Sequence, residues 1–138
     1  MPRCFRPQAA RPILVAALLV GATWPAAAFG QPESKLVRGL DKPTIAAMWC
    51  SALFFEESFW HDEGSDWSYY YDDLAYILEN DLHDGLMEAG LGEAEIDEAW
   101  AIFDDAAMAL SESDEAGFLA QLEACEDAHG HLTPAPKS

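Results

Sequence analysis

The chain has 138 residues, of which 51% are hydrophobic, and its formal net charge at pH 7 is −18. This length fits one domain, and so much apolar material excludes a globally disordered chain because it can form a packed core. The negative charge repels phosphate backbones and anionic lipid headgroups, so we expect no nucleic-acid binding. Scattered acidic charge is also typical of an ordinary solvated surface.

Residues 1–28 have the parts of a secretory signal peptide. Three arginines precede an apolar run at residues 13–24, and Ala26 and Ala28 occupy the −3 and −1 positions of a cleavage site after Ala28. The run is short for a permanent transmembrane helix. We therefore expect a product exported to a bacterial periplasm or secreted, with no stable membrane insertion after cleavage. An uncleaved membrane anchor is the alternative.

Removal of this segment leaves 25 carboxylates against four basic side chains, a formal charge of −21, and two cysteines, Cys50 and Cys125. Two cysteines in an exported chain favour one disulfide, and two independent buried thiols are the alternative. After the signal peptide we divide the chain into a lead-in segment at 29–42, a helical domain at 43–130 and a flexible C-terminal tail at 131–138. No strand-like alternation occurs, so the predicted fold class is all-α: a small bundle of four to five amphipathic helices closed by one disulfide.

The first predicted helix follows Asp41 and Pro43 and runs to about Trp60. At helical period its apolar residues share one broad arc, which indicates packing against more than one neighbour: Ile45, Met48, Trp49, Ala52, Leu53, Phe55, Phe59 and Trp60. Glu56 falls inside this arc. Because a buried carboxylate has a raised pKa and acts as a general acid or base, Glu56 is a candidate functional carboxylate. The alternative is that it reaches water or is paired by the backbone or Arg38.

The second predicted helix begins at Ser65 or Asp66, and it ends at Gly85 or continues to Gly90. Its apolar face contains Trp67, Tyr70, Tyr71, Leu74, Ile77, Leu78 and Leu82. Tyr69 and Tyr76 fall on the polar face, where they are candidate edges of an aromatic groove. Ordinary exposure of single aromatic side chains is the alternative interpretation.

The third predicted helix has acidic residues near its start, where the helix dipole favours them, and an apolar stripe from Ile96 to Leu110. It ends near Ser111 and Ser113, and we expect one of these serines to cap the last helix. Cys125 shares a face with the apolar residues of that last helix. A bridge to Cys50 would therefore join the first helix to the last.

Two clusters are weak candidates for metal ligands: His61, Asp62, Glu63 and Asp66 after the first helix, and His129 with His131 after the last. Imidazoles near carboxylates suit Cu²⁺, Ni²⁺ or Zn²⁺. Neither cluster has the spacing of a calcium loop or of a structural zinc site, so a polar helix terminus is the alternative for each. We predict no cofactor.

No nucleophile elbow, phosphate-binding glycine loop or Cys-x-x-Cys motif occurs. We therefore expect a non-enzymatic binding or interaction protein, whose partner is an unknown protein or small ligand of the cell envelope, a cationic partner being one option. One alternative is a pH-responsive, acid-stress chaperone-like protein, because protonation between about pH 5 and 3 discharges the carboxylates. The other is a metal-binding protein or weak enzyme that uses Glu56, His61 or the pair His129 and His131.

Overall fold

The computed structural model describes residues 31–32 and 34–137. The predicted signal peptide at 1–28 lies outside the described residues. The described chain forms four helices and a short 3-10 turn at Gly130–Leu132: α1 (Lys42–Ser58), α2 (Asp66–Glu88), α3 (Glu93–Ser113) and α4 (Glu115–His129). The predicted all-α bundle is confirmed.

The lead-in segment forms turns at residues 35–39 and not a fifth helix. Gly39 interrupts any helix there, since glycine has a low helix propensity, and Asp41 caps α1 only two residues later. Val37 nevertheless lies in the hydrophobic core. The segment therefore lies on the bundle without regular secondary structure and is anchored by one buried side chain.

Side-chain caps fix the helix starts. The Oδ1 atom of Asp41 accepts from Thr44 N at 2.8 Å, and Ser65 Oγ accepts from Ser68 N at 3.1 Å. These hydrogen bonds satisfy backbone donors that have no partner within the helix. Both starts agree with the sequence-based prediction. Gly90, at φ 98°, lies in the turn that follows α2, and Gly85 lies within that helix.

The cap of α4 differs from the prediction. Asp114 Oδ1 accepts from Gly117 N at 3.0 Å, whereas the predicted caps, Ser111 and Ser113, lie inside α3. The Ser113 hydroxyl donates to the Ala109 carbonyl in the preceding turn of its own helix. The Ser111 hydroxyl lies 2.8 Å from both the Met108 carbonyl of the preceding turn and Glu56 Oε1, and its single proton is shared between these two acceptors. These serines therefore belong to the last turn of α3, and Asp114, the first acidic residue after that turn, caps α4.

Helix α1 is the central element, because it contacts all three other helices and packs most extensively against α2. Its residues Met48, Leu53 and Phe54 are fully buried. Ser51 donates from Oγ to the carbonyl of Ala75 at 2.9 Å, which joins α1 to α2. Within the described part of the chain, no helix is long and apolar enough to cross a membrane.

The predicted disulfide is present between Cys50 of α1 and Cys125 of α4, with the two Cα atoms 5.3 Å apart. A second link lies one residue away, where Trp49 donates from Nε1 to Gln121 Oε1 at 2.8 Å. Both cysteines are buried. The first and last helices are therefore joined covalently within the core.

Candidate functional site

Glu56 is half-buried between α1 and α3, and its partners differ from those considered in the sequence. Its Oε1 atom accepts from Ser111 Oγ at 2.8 Å and from Trp60 Nε1 at 3.2 Å. The helix does not fray there, since α1 continues to Ser58. Glu56 is thus a hydrogen-bonded carboxylate at the edge of the core, with one donor from α3 and one from the residues that follow α1.

The C-terminal half of the α1 arc is exposed, which corrects the predicted core. The exposed fractions of Phe59 and Trp60 are 68% and 65%, and Phe55 is also exposed. The bundle interior at this level is filled by Phe54, which the predicted arc omitted. Because Phe54 and Phe55 are neighbours about 100° apart on a helix, burial of one turns the other outward. Phe55 packs edge-to-face on Phe59, with ring centroids 4.9 Å apart.

These exposed rings line a groove between α1 and α3 with a volume of about 400 Å³. We call it the α1–α3 groove. Its apolar walls are Ala52, Phe55, Phe59, Trp60 and Met108. Its acidic walls are Glu56, Asp104, Asp105 and Glu112. An apolar floor flanked by carboxylates fits an apolar group that carries positive charge.

A second groove of about 280 Å³ lies where α1, α2 and α3 meet, and we call it the three-helix groove. Its walls include Phe55 and Asp104, which it shares with the α1–α3 groove. The other walls are Ser51, Asp72, Ala75, Tyr76, Glu79 and Trp100. The two grooves together form one surface, the acidic aromatic face.

The two tyrosines of the predicted aromatic groove are both exposed, Tyr69 to 59% and Tyr76 to 65%. Tyr76 is a wall of the three-helix groove. Tyr69 lies two helical turns earlier on α2 and is a wall of neither groove. The structure therefore places one of the two on the acidic aromatic face. The sequence did not point to Phe55, Phe59 and Trp60 as its other rings.

Asp104 is the electrostatic centre of this face. Burial, together with the negative charges of Glu79, Asp105 and Glu56, raises the pKa of the Asp104 carboxyl to about 6. These neighbours come from α1, α2 and α3. Like charges disfavour ionisation of one another, so a bound cation would be stabilised by all of them.

No lysine or arginine is a wall of either groove. Among the described residues, the close contacts between basic and acidic side chains are those of His61 with Glu57 and of His83 with Glu93. The carboxylates of the acidic aromatic face therefore have no basic partner from their own chain in the described part. Their negative potential faces the solvent.

A separate polar cluster joins the loop after α1 to α2 and α4. His61 Nε2 lies 3.0 Å from Glu57 Oε1, and the imidazole stacks on Tyr71 at 5.3 Å between centroids. Tyr71 donates from its hydroxyl to Glu126 Oε1 at 2.6 Å. Burial, and then the nearby carboxylates, raises the pKa of Glu57, while His61 lowers it. Burial and the carboxylate of Glu126 raise the pKa of Tyr71, so this phenol stays protonated as a donor.

The candidate metal ligands do not assemble into a site in the described chain, where no three His, Cys, Asp or Glu side chains are placed to hold one ion. His61 instead pairs with Glu57, whereas Asp62, Glu63 and Asp66 are exposed. His129 is half-buried, and burial together with His131 lowers its pKa. Cys125 is in the disulfide and is no ligand.

Comparison with protein-family models, curated proteins and solved structures finds no match for the chain. The class of protein is therefore defined by its own fold and surface. It is a small all-α bundle with a disulfide between its first and last helices, and one face combines exposed aromatic rings with carboxylates that have no basic partner among the described residues.

Proposed function

We propose that the protein is an exported, non-enzymatic binding protein of the cell envelope, and that its acidic aromatic face holds a cationic segment of a partner protein. The observation that carries this proposal is that Phe59 and Trp60 are exposed in the same groove as Glu56 and Asp104. A contiguous patch of exposed apolar rings rimmed by polar residues is typical of an interaction site. The disulfide is in keeping with an oxidising compartment.

The shape of the α1–α3 groove favours an amphipathic helix as the bound segment. Asp104, Met108 and Glu112 follow one another at four-residue spacing along α3, and the same spacing separates Phe55 of α1 from Phe59, the residue that caps the C-terminus of α1. A helix lying between these rows would place its apolar side on the rings and its lysines or arginines beside the carboxylates. Charge complementarity speeds association and selects against anionic partners, while the rings contribute most of the affinity.

A pair of designed helical peptides tests the proposal: one of leucine and lysine, and one in which glutamate replaces every lysine. We expect saturable binding of the lysine peptide in calorimetry, with affinity that falls as salt is raised because the charges are screened. The glutamate peptide should not bind. Equal affinity for both peptides, or no binding of either, contradicts the proposal.

Two aromatic variants locate the binding surface. Phe59→Ala removes an exposed ring of the α1–α3 groove and should weaken binding of the lysine peptide at least tenfold. Tyr69→Ala is the matched control, since it removes a ring of similar exposure that is a wall of neither groove. We expect Tyr69→Ala to change the affinity by less than about twofold, as is usual for positions outside a binding hot spot. Equal losses in both variants would place the peptide elsewhere.

The pH-responsive alternative has one observation in its favour, the raised pKa of Asp104 at about 6. Protonation of Asp104 removes charge beside Phe55, and the face becomes more apolar as the pH falls. A chaperone of this kind would protect an unfolding client at pH 4 but not at pH 7. Client light scattering at both pH values separates the two functions, because a protein that binds cationic partners loses affinity in acid.

A further inference from the structure

One half-buried side chain, that of His61, packs the loop between α1 and α2 onto the bundle. Residues 59–64 are exposed except for His61. Its imidazole is nearly parallel to the ring of Tyr71, with centroids 5.3 Å apart, and it also stacks on Trp67 at 6.3 Å. Its Nε2 atom lies 3.0 Å from Glu57 Oε1. His61 therefore joins the loop to both α1 and α2.

Two rings of the α1–α3 groove, those of Phe59 and Trp60, directly precede His61 in the chain. Their backbone N–H groups extend the end of α1 by hydrogen bonds to the carbonyls of Glu56 and Glu57. Trp60 also donates from Nε1 to Glu56 Oε1, at 3.2 Å and in an exposed position. The end of a helix frays unless tertiary contacts hold it. The half-buried residue that follows these two rings, and that holds the chain there, is His61.

His61 is the one basic group in contact with a half-buried carboxylate, that of Glu57. The other titratable groups near this pair come from three helices: Glu56 from α1, Tyr71 from α2, and Glu115 and Glu126 from α4. The α3 residue beside Glu57, Ser111, is uncharged. Burial, and then the charges of Glu126 and Glu56, raise the pKa of Glu57, whereas His61 lowers it. The ionised form of Glu57 therefore depends on its contact with His61.

The same contact depends on pH. Because the pKa of Glu57 lies above the ordinary value of 4.5, its carboxyl takes up a proton in mild acid. A hydrogen bond to a carboxylate is about twice as strong as one to a neutral group, so protonation leaves His61 with its stacking contacts but without a charged acceptor. Since His61 lowers the pKa of Glu57 while the loop is closed, loss of this contact raises that pKa, and a fall in pH favours the open loop.

We propose that His61 is the positioning residue of the α1–α3 groove, and that it fixes Phe59 and Trp60 at neutral pH and releases them in acid. This inference rests on the proposed function, because it names the regulation of the surface that binds the partner segment. Neither His61 nor Glu57 is a wall of the α1–α3 groove. Both therefore act on the partner through the loop and not by contact.

The first test follows the loop by ¹⁵N relaxation of the labelled protein with its disulfide intact. We expect the amides of residues 61–64 and the Trp60 indole to be ordered at pH 7 and mobile at pH 4. Glu57→Gln should make the loop mobile at both pH values. Glu63→Gln, which removes an exposed carboxylate of the same loop, is the matched control and should behave as the unchanged protein. Equal order at the two pH values, equal mobility in the two variants, or mobility that spreads to the core amide of Leu74 overturns the proposal.

The second test measures the consequence for the groove with the lysine peptide at pH 7. His61→Gln removes a basic group, so charge alone would strengthen binding of a cationic peptide. Loss of positioning should instead weaken it about fivefold or more, because the peptide must then order two rings. His83→Gln is the matched control, since it removes a contact of the same kind, 3.4 Å from Glu93, and should change the affinity by less than about twofold. Undiminished binding to His61→Gln, or an equal loss in His83→Gln, overturns the positioning role.

The two proposals fail in different ways. Release of the loop in acid, without binding of the peptide to any form of the protein, refutes the partner segment and supports the release. Peptide binding that is the same in the unchanged protein and in His61→Gln refutes the positioning role alone.

Discussion

At the scale of single residues, the most informative features are half-buried polar groups at the edges of the core. In the described chain, burial and neighbouring negative charges raise the pKa of Asp104, whereas Tyr71 donates a hydrogen bond to the Glu126 carboxylate. Removing a charge from water costs free energy. Among the described residues, this cost is uncompensated at Asp104 and is compensated at Glu126 by the hydrogen bond from Tyr71. Under the proposed function, a cationic partner supplies the opposite charge at Asp104.

Replacement of Asp104 by asparagine should stabilise the unbound protein. The folded pKa of about 6 exceeds the ordinary value of 3.8, so the folded state binds more protons between these values and loses stability as the pH rises from 4 to 6. After allowance for solvent screening, Asp104→Asn should raise the free energy of unfolding at pH 7 by about 1–2 kcal/mol. Urea unfolding at pH 7 and pH 4 measures this, and the gain should disappear at pH 4. Glu57, whose pKa is also raised, adds a slope of the same sign in both proteins.

Tyr71→Phe should destabilise the protein by about 1.5–3 kcal/mol, the usual value of a hydrogen bond to a charged group, because Glu126 then lies half-buried without its donor. Tyr70→Phe is the control at the next position. Tyr70 is equally buried, but its hydroxyl donates no hydrogen bond within the described chain. We expect a change of about 0.5 kcal/mol or less in that variant. Similar losses in both variants, measured by chemical denaturation, would show that ring packing and not the hydrogen bond matters.

At the scale of elements, the helix boundaries follow local rules where a cap is followed by a regular apolar stripe. Asp41 was predicted correctly for this reason, and Ser65 was one of the two predicted caps of α2. The cap of α4 was not predicted correctly, because the hydroxyls of Ser111 and Ser113 have acceptors inside α3. Local sequence does not state which of several adjacent polar residues takes which backbone partner.

The cap of α2 is the simplest element to test. Ser65→Ala leaves the backbone N–H of Ser68 without its acceptor and should cost about 1 kcal/mol. Ser68→Ala keeps the cap and serves as the control; we expect it to be neutral or slightly stabilising, since alanine is the better helix former. Thermal unfolding of the two variants gives the comparison, and equal midpoints would assign no stabilising role to the cap.

At the scale of the whole molecule, the chain carries 25 carboxylates, most of them in one small bundle, and the covalent bond between α1 and α4 acts against their repulsion. The bridge restricts the unfolded chain over a separation of 75 residues. In the chain-entropy description a loop of this length contributes roughly 4–5 kcal/mol, a large part of the stability of a small domain.

Reduction of the disulfide should therefore lower the unfolding temperature markedly, and more so at low salt, where the carboxylates repel one another over longer distances. Calorimetry with and without reductant at two salt concentrations checks both statements. A Cys50→Ala and Cys125→Ala double variant should reproduce the reduced protein. Equal unfolding temperatures for the oxidised and reduced forms are incompatible with a stabilising bridge.

The sequence by itself determined the helical class, the number of main helices, the starts of α1 and α2 and the pairing of Cys50 with Cys125, since these depend on periodicity, local hydrogen bonding and cysteine count. Only the tertiary structure decided that Phe54 is buried and Phe55, Phe59 and Trp60 are exposed. An apolar arc shows which residues avoid water but not how much of it the neighbouring helices cover. The sequence also could not predict that Asp104 lies among carboxylates of other helices. These helices are distant in the chain and meet only when the bundle packs.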